Sequence, residues 1–149
     1  MRATRILVAT MALTAAIQLV PYGRDHDNPP VTREPIWDRA ETRALASRAC
    51  FDCHSNETTW PWYADIAPVS WLVQHDVDEG RAVLDFSEWD RTYEEAEESS
   101  ETVREGEMPM AVYTWMHPAA RLDPDEREQL ARGLERTIGV EQARLEERK

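Results

Sequence analysis

The chain has 149 residues, which is enough for one domain and an extension. Its net charge of −12 at pH 7 argues against nucleic acid or anionic lipid headgroups as partners, because both require clustered basic residues. Only two cysteines are present, too few for a disulfide-stapled mini-protein, so a single core or a bound cofactor must hold the fold.

The first 23 residues have the pattern of an export signal or a membrane anchor. Arg2 and Arg5 precede an uncharged, mostly apolar stretch over residues 6–20. This stretch is shorter than the roughly 20 residues of a typical membrane span, and no small-x-small cleavage site follows it. We favour an uncleaved signal anchor over a removed signal peptide, and in both cases the rest of the chain is expected to be exported.

Three prolines and little apolar content predict that residues 24–36 form an extended, Pro-rich tether. The spacing of apolar residues then predicts a helix over residues 37–49, which would deliver Cys50 at its end. Residues 55–70 are rich in proline and tryptophan and are expected to form an ordered loop. Further helices are expected over residues 71–84 and 87–103, and the second has acidic residues on its solvent face.

Gly106 and Pro109 interrupt the helical pattern ahead of the last predicted helix. Asp123 is the expected N-cap of that helix, Pro124 suits its first position, and Glu126 completes a capping box. Its buried side is expected to carry Leu122, Leu130, Leu134 and Ile138. The fold class is therefore mainly α, with a domain over residues 37–139 and a solvated C-terminal tail over residues 140–149.

The two cysteines lie in the sequence Cys50-Phe-Asp-Cys53-His54, which allows three kinds of chemistry. A redox-active dithiol leaves His54 unexplained and lacks the usual βαβ pattern. A structural zinc ion needs four ligands, and two of them would have to come from the histidines. Covalent attachment of haem uses all three residues, with two thioether links from the cysteines and His54 as the proximal iron ligand. We favour covalent haem.

A ligand on the opposite side of the iron is expected from Met108, which lies between two predicted helices and is followed by a proline, as in class I c-type cytochromes. Met110 is an alternative two residues later. His75 and His117 are further alternatives that would give a bis-histidine site. His26 lies in the predicted tether and is expected to be exposed to solvent.

Several further segments resemble a known family. The stretch from Cys50 to Tyr63, which contains Trp60-Pro-Trp62-Tyr, is similar to the bacterial haem-binding domain family, a group of small, cytochrome c-like proteins that are membrane-anchored or periplasmic. Matching segments also occur at residues 66–71, 80–81, 86–89, 106–109 and 117–118. The family often has a second proline after Gly-Glu-Met-Pro, where this chain has Met110.

This resemblance implies one haem c bound covalently through Cys50 and Cys53, with His54 as axial ligand, in a helical cytochrome c-like domain. Trp60, Trp62 and Trp71 are expected to wall the haem, and a backbone carbonyl near Pro61 or Pro68 is expected to accept a hydrogen bond from His54.

The expected function is that of an electron carrier rather than an enzyme, at the periplasmic side of the bacterial inner membrane. It would be anchored by its N-terminal segment, or free in the periplasm if that segment is cleaved. The expected partner is a membrane-associated redox protein. The alternatives are a haem enzyme or sensor with an open distal site, peroxidase-like or gas-binding, and a haem-free zinc or dithiol module.

Overall fold

The computed structural model describes residues 1–91, 93 and 96–147, with side chains through Arg144. The described part is mainly helical and contains no strand, only an isolated bridge between Arg33 and Glu88. The α-helices are α1 (Arg2–Ile17), α2 (Ala40–Ala49), α3 (Phe51–His54), α4 (Val69–Val83), α5 (Ser99–Glu105), α6 (Ala111–Met116) and α7 (Pro124–Glu147). Two short 3-10 helices cover Trp62–Asp65 and Pro118–Ala120.

The first helix projects from the rest of the chain and buries none of its residues. Within the described residues, no helix has both the length and the apolar character needed to cross a membrane. The end of α1 is nevertheless fixed, because the side-chain amide of Gln18 donates to the carbonyl of Ala67 at 2.8 Å and accepts from its N–H at 3.0 Å.

Residues 24–36 contain no helix but pack against the domain. Asn28 donates to the carbonyl of Thr58 at 2.9 Å, and Arg33 forms an ion pair with the buried Glu141. This predicted tether therefore contributes contacts to the fold.

The core lies where α2 and α5 pack on α7. At the α2–α7 crossing Gly133 faces Thr42, and a side chain in place of the glycine hydrogen would overlap the threonine. The four apolar residues expected on the buried side of the last helix are all buried. The core also contains Ala46, Ala49, Phe51, Leu84, Phe86, Ala96, Val103 and Ala131.

The helix expected over residues 87–103 is wrong over most of its described length, since only Ser99–Glu105 is α-helical. The N–H of Ser87 donates to the carboxylate of Asp85 at 2.7 Å, and its carbonyl accepts from the N–H groups of Thr32 and Arg33. These contacts use the backbone groups that a helix would need. Residues 92, 94 and 95 lie outside the described part.

The predicted capping box is confirmed. The N–H of Glu126 donates to Asp123 Oδ1 at 2.8 Å, and the N–H of Asp123 donates to Glu126 Oε2 at 3.1 Å. The helix continues past Gly139 to Glu147, and Glu141 is buried in the stretch predicted to be a solvated tail. Its carboxylate accepts from the N–H of Ile36 at 2.9 Å as well as from Arg33.

Candidate haem site

The cysteine motif forms a single helical turn directly after α2. The N–H groups of Cys53 and His54 donate to the carbonyl of Cys50 at 3.1 and 2.9 Å. Phe51, between the cysteines, is buried in the core and stacks on Phe86 with 5.7 Å between ring centroids. The buried ring fixes the turn, while the two cysteines and the histidine line a cleft on its other side.

This cleft is a cavity of about 280 Å³ with a mostly apolar lining. It brings together residues from α2, α3, α4 and the segment that follows α5. The lining consists of Ala49, Cys50, Cys53, His54, Asp76, Glu79, Gly80, Val83, Met108, Pro109, Met110 and Tyr113. The predicted attachment residues and both candidate methionines are therefore found in one cavity.

The imidazole of His54 is held by two backbone carbonyls. Nδ1 lies 3.0 Å from both the Gly80 and the Leu84 oxygens. A carbonyl oxygen can only accept, so Nδ1 must carry the hydrogen and Nε2 keeps its lone pair. The expected acceptor near Pro61 or Pro68 is thus wrong, and the C-terminal end of α4 supplies the acceptors. Burial lowers the pKa of His54 and favours the neutral ring that binds metals.

Gly80 allows α4 to approach this turn closely. A Cβ atom on Gly80 would lie 2.5 Å from the carbonyl oxygen of Cys53, well inside ordinary contact distance. A glycine is therefore needed for the carbonyl of residue 80 to reach His54.

Met108 is positioned by the turn that ends α5. Gly106 adopts a left-handed conformation, with φ of 81°, and the N–H groups of Glu107 and Met108 both donate to the carbonyl of Thr102. Met108 and Met110 both line the large cavity. Only Met108 also lines an adjacent cavity of about 140 Å³, which it shares with Cys50 and His54. This arrangement favours Met108 over Met110 as the residue facing His54.

The two cysteines are free thiols. Burial raises the pKa of Cys50 to about 12, with a further contribution from Cys53. Burial and the charges of Asp52 and Asp76 likewise raise the pKa of Cys53 to about 12. Redox-active dithiols show the opposite shift, because they need a stable thiolate.

None of the other histidines lines the cavity that contains Cys50, Cys53 and His54, although His117 shares a small neighbouring cavity with Cys53 and Tyr113. His75 is exposed on α4, near Glu79. His117 Nε2 is 2.6 Å from the hydroxyl of Tyr63, and its ring stacks on Tyr113. His26 stacks on Trp60 and is largely covered, so the expectation that it is solvent-exposed is wrong. Within the described chain, no three His, Cys, Asp or Glu side chains are close enough to share a metal ion.

The sequence profile of a family described as "Haem-binding domain" matches residues 12–136, most of the chain. The chain belongs to this family. No curated protein and no solved structure is significantly similar to it. The expected family is thereby confirmed, and haem is the cofactor that this family binds.

The residues that line the cavity of this haem-binding domain fit a haem group. The cavity offers an imidazole whose Nε2 lone pair is free of the backbone hydrogen bonds, two thiols on the same turn, and a thioether. Its lining is otherwise mainly apolar, which suits a flat, hydrophobic macrocycle.

The three tryptophans expected to wall the haem lie elsewhere, since none lines either cavity that contains Cys50. Trp62 is 75% exposed, Trp60 stacks on His26, and Trp71 is half-buried on α4. A direct role for them in binding haem stays a prediction. Of the remaining tryptophans, Trp37 and Trp89 pack against the core beside Phe86.

Sequence reasoning missed Tyr113, which lines the cavity from α6 and donates to Asp52 Oδ2 at 2.7 Å. Burial, followed by this hydrogen bond, raises the pKa of the tyrosine well above its ordinary value. The bond joins α6 to the turn that contains Cys53. Nothing in the sequence distinguished Tyr113, five residues after Met108, from an aromatic residue of the core.

Proposed function

We propose that this haem-binding domain attaches one haem c covalently and carries single electrons at the outer face of a bacterial inner membrane. The observation that supports it most directly is the shared cavity, in which Cys50, Cys53 and His54 face Met108. A bound haem supplies reversible one-electron chemistry at its iron.

Cys50 and Cys53 would each form a thioether bond with one vinyl group of the haem. A thiol adds across a carbon–carbon double bond with its hydrogen going to the neighbouring carbon, so no oxidant is consumed. The free state of both thiols is the state that this addition requires. The short turn fixes their separation relative to His54.

His54 and Met108 would bind the haem iron. The carbonyls of Gly80 and Leu84 orient the imidazole and increase its basicity, as second-shell acceptors do in other metal sites. A thioether ligand favours the reduced iron and raises the potential. Two protein ligands leave no position for substrate, which favours an electron carrier over a peroxidase-like enzyme or a gas sensor.

The proposed cellular location rests on the pattern of the N-terminal segment. Arg2 and Arg5 followed by the uncharged residues 6–20 are typical of an export signal or anchor, which supports a domain on the outer side of the membrane. Covalent haem attachment of this type takes place on that outer side, and the expected partner is a membrane-associated redox protein.

Carbon monoxide binding distinguishes an electron carrier from a haem enzyme or a gas sensor with an open distal site. The reduced, haem-loaded full chain is expected to keep its spectrum under CO and to give a reversible one-electron wave in voltammetry. Rapid formation of a CO complex by the unaltered chain would instead support an open distal site.

The methionines provide a matched pair of variants for the same assay. Met108→Ala is expected to remove the near-infrared band between thioether and ferric iron and to open the site to CO. Met110→Ala is expected to leave both unchanged. The opposite result would assign the ligand to Met110, and absence of the band from the unaltered chain would exclude methionine ligation.

A further inference from the structure

The junction between α1 and the domain is rigid. Gln18 makes two hydrogen bonds to the backbone of Ala67, and Arg24 donates to the side-chain oxygen of Gln18 at 3.0 Å. Gly23, with φ of 77°, lies so close to the carbonyl of Ser70 that a Cβ atom would overlap it. Residues 18–23 therefore run directly along the loop that precedes α4 and its first turn.

Large apolar side chains are exposed on both sides of this junction. We call them the junction surface: Leu19, Tyr22, Trp62, Ile66, Val69 and Leu72, which are between 42% and 84% exposed. The two stretches that contain them, residues 17–23 and 62–72, hold a single charged residue, Asp65, although 31% of the chain is charged. Asp65 lies 3.9 Å from His26 Nδ1, and its side chain is 67% exposed.

We propose that the junction surface lies on a lipid bilayer, so that the domain is seated on the membrane instead of moving freely on a tether. This inference rests on the proposed membrane association of the N-terminal segment. The lipid surface is favoured because residues 18–23 follow α1 directly in the chain, and the large apolar side chains of α1 are exposed. Its Trp62 and Tyr22 are also the residue types enriched at bilayer interfaces.

The rigid junction connects this surface to the haem cavity through α4. Leu72 lies in the first turns of the helix, and Gly80 lines the cavity eight positions later. A helix rises about 1.5 Å per residue, so Gly80 lies roughly 12 Å along α4 from Leu72, which is proposed to contact the lipid. A domain that lies on the bilayer therefore gives access to the haem cavity only to partners that approach close to the membrane.

The test uses an environment-sensitive dye on single introduced cysteines in the haem-loaded full chain. Leu72→Cys reports on the junction surface, and Ile66→Cys is a second reporter. Leu7→Cys reports on α1. Val140→Cys on α7 is the matched control, because Val140 is 48% exposed and Leu72 is 53% exposed. The parent chain, labelled in parallel, gives the background from Cys50 and Cys53.

On phosphatidylcholine vesicles, the dyes at residues 7, 66 and 72 are expected to shift to the blue, while the dye at residue 140 does not. A shift at residue 7 alone would overturn the seated domain and leave the anchor intact. No shift at any position would overturn both. A shift at residue 72 without vesicles that disappears on dilution would assign the surface to a second copy of the chain. Haem content and CO binding, measured on the same samples, report on the carrier function independently.

Discussion

Gly80 is the position where one methyl group should disturb the haem site most. A Cβ atom there would lie 2.5 Å from the carbonyl oxygen of Cys53 and 3.0 Å from its carbonyl carbon. Both are backbone atoms, so no side-chain rotation can relieve the overlap. In Gly80→Ala, α4 must move away from the attachment turn by roughly an ångström, which weakens the hydrogen bond from His54 to the carbonyl of residue 80.

The expected change in stability follows from three contributions. Overpacking of a close contact costs about 1–3 kcal/mol, while alanine is better than glycine in a helix by about 1 kcal/mol. The weakened hydrogen bond to a buried imidazole adds about 1 kcal/mol to the cost. We expect the free energy of unfolding to fall by about 1–3 kcal/mol.

Gly139→Ala is the matched control, because nothing lies within 4 Å of a Cβ atom at that position in α7. It should gain stability by about 0.5–1 kcal/mol. Urea denaturation of the haem-loaded chains, followed by far-ultraviolet circular dichroism, measures both. If Gly80→Ala proved as stable as Gly139→Ala, the close approach of α4 to the cysteine turn would be refuted.

Three further perturbations test two contacts of the fold and one contact at the site. The carboxylate of Glu34 is held by Arg43 at 2.6 and 2.7 Å, which lowers its pKa, so the contact stabilises the fold at neutral pH and is lost as pH falls through that lowered value. Glu34→Gln should therefore cost about 1 kcal/mol in urea denaturation at neutral pH, and the difference should shrink in acid; a pH-independent difference would contradict this. Asp123→Ala removes the N-cap of α7 and should lower the free energy of unfolding by about 1 kcal/mol, and an unchanged value would show that the cap is dispensable. Tyr113→Phe removes the donor to Asp52 Oδ2, while Oδ1 keeps the N–H of Thr59, and should cost about 1–2 kcal/mol; a neutral effect would mean that water replaces the phenol.

Features that depend on residues close together in the sequence could be predicted from it. The capping box of α7 depends on residues three apart, and the buried leucines follow from helical spacing. The cysteine motif is equally local, since one turn contains both thiols and the histidine. Met108 was a candidate because glycine and proline mark the end of a helix beside it.

The parts that failed depend on contacts between distant segments. Apolar residues at helical spacing predicted a helix over residues 87–103, but the carbonyl of Ser87 accepts from the backbone N–H groups of Thr32 and Arg33. The acceptors of the His54 hydrogen bond lie 26 and 30 residues away, and nothing in the sequence pattern links them. The expected place of Trp60, Trp62 and Trp71 at the haem stays a prediction, because it rested on the size of their rings, a property that suits a surface or a core equally well.

The most direct test of the account is the pyridine haemochrome spectrum of the full chain, produced with a haem-attachment system, denatured and washed with acidified acetone. Two thioether links through Cys50 and Cys53 predict that all haem stays with the protein and gives the spectrum of a haem without vinyl groups. Cys50→Ala should give the spectrum of a haem with one vinyl group. Extraction of the haem into the acetone from the unaltered chain would contradict covalent attachment.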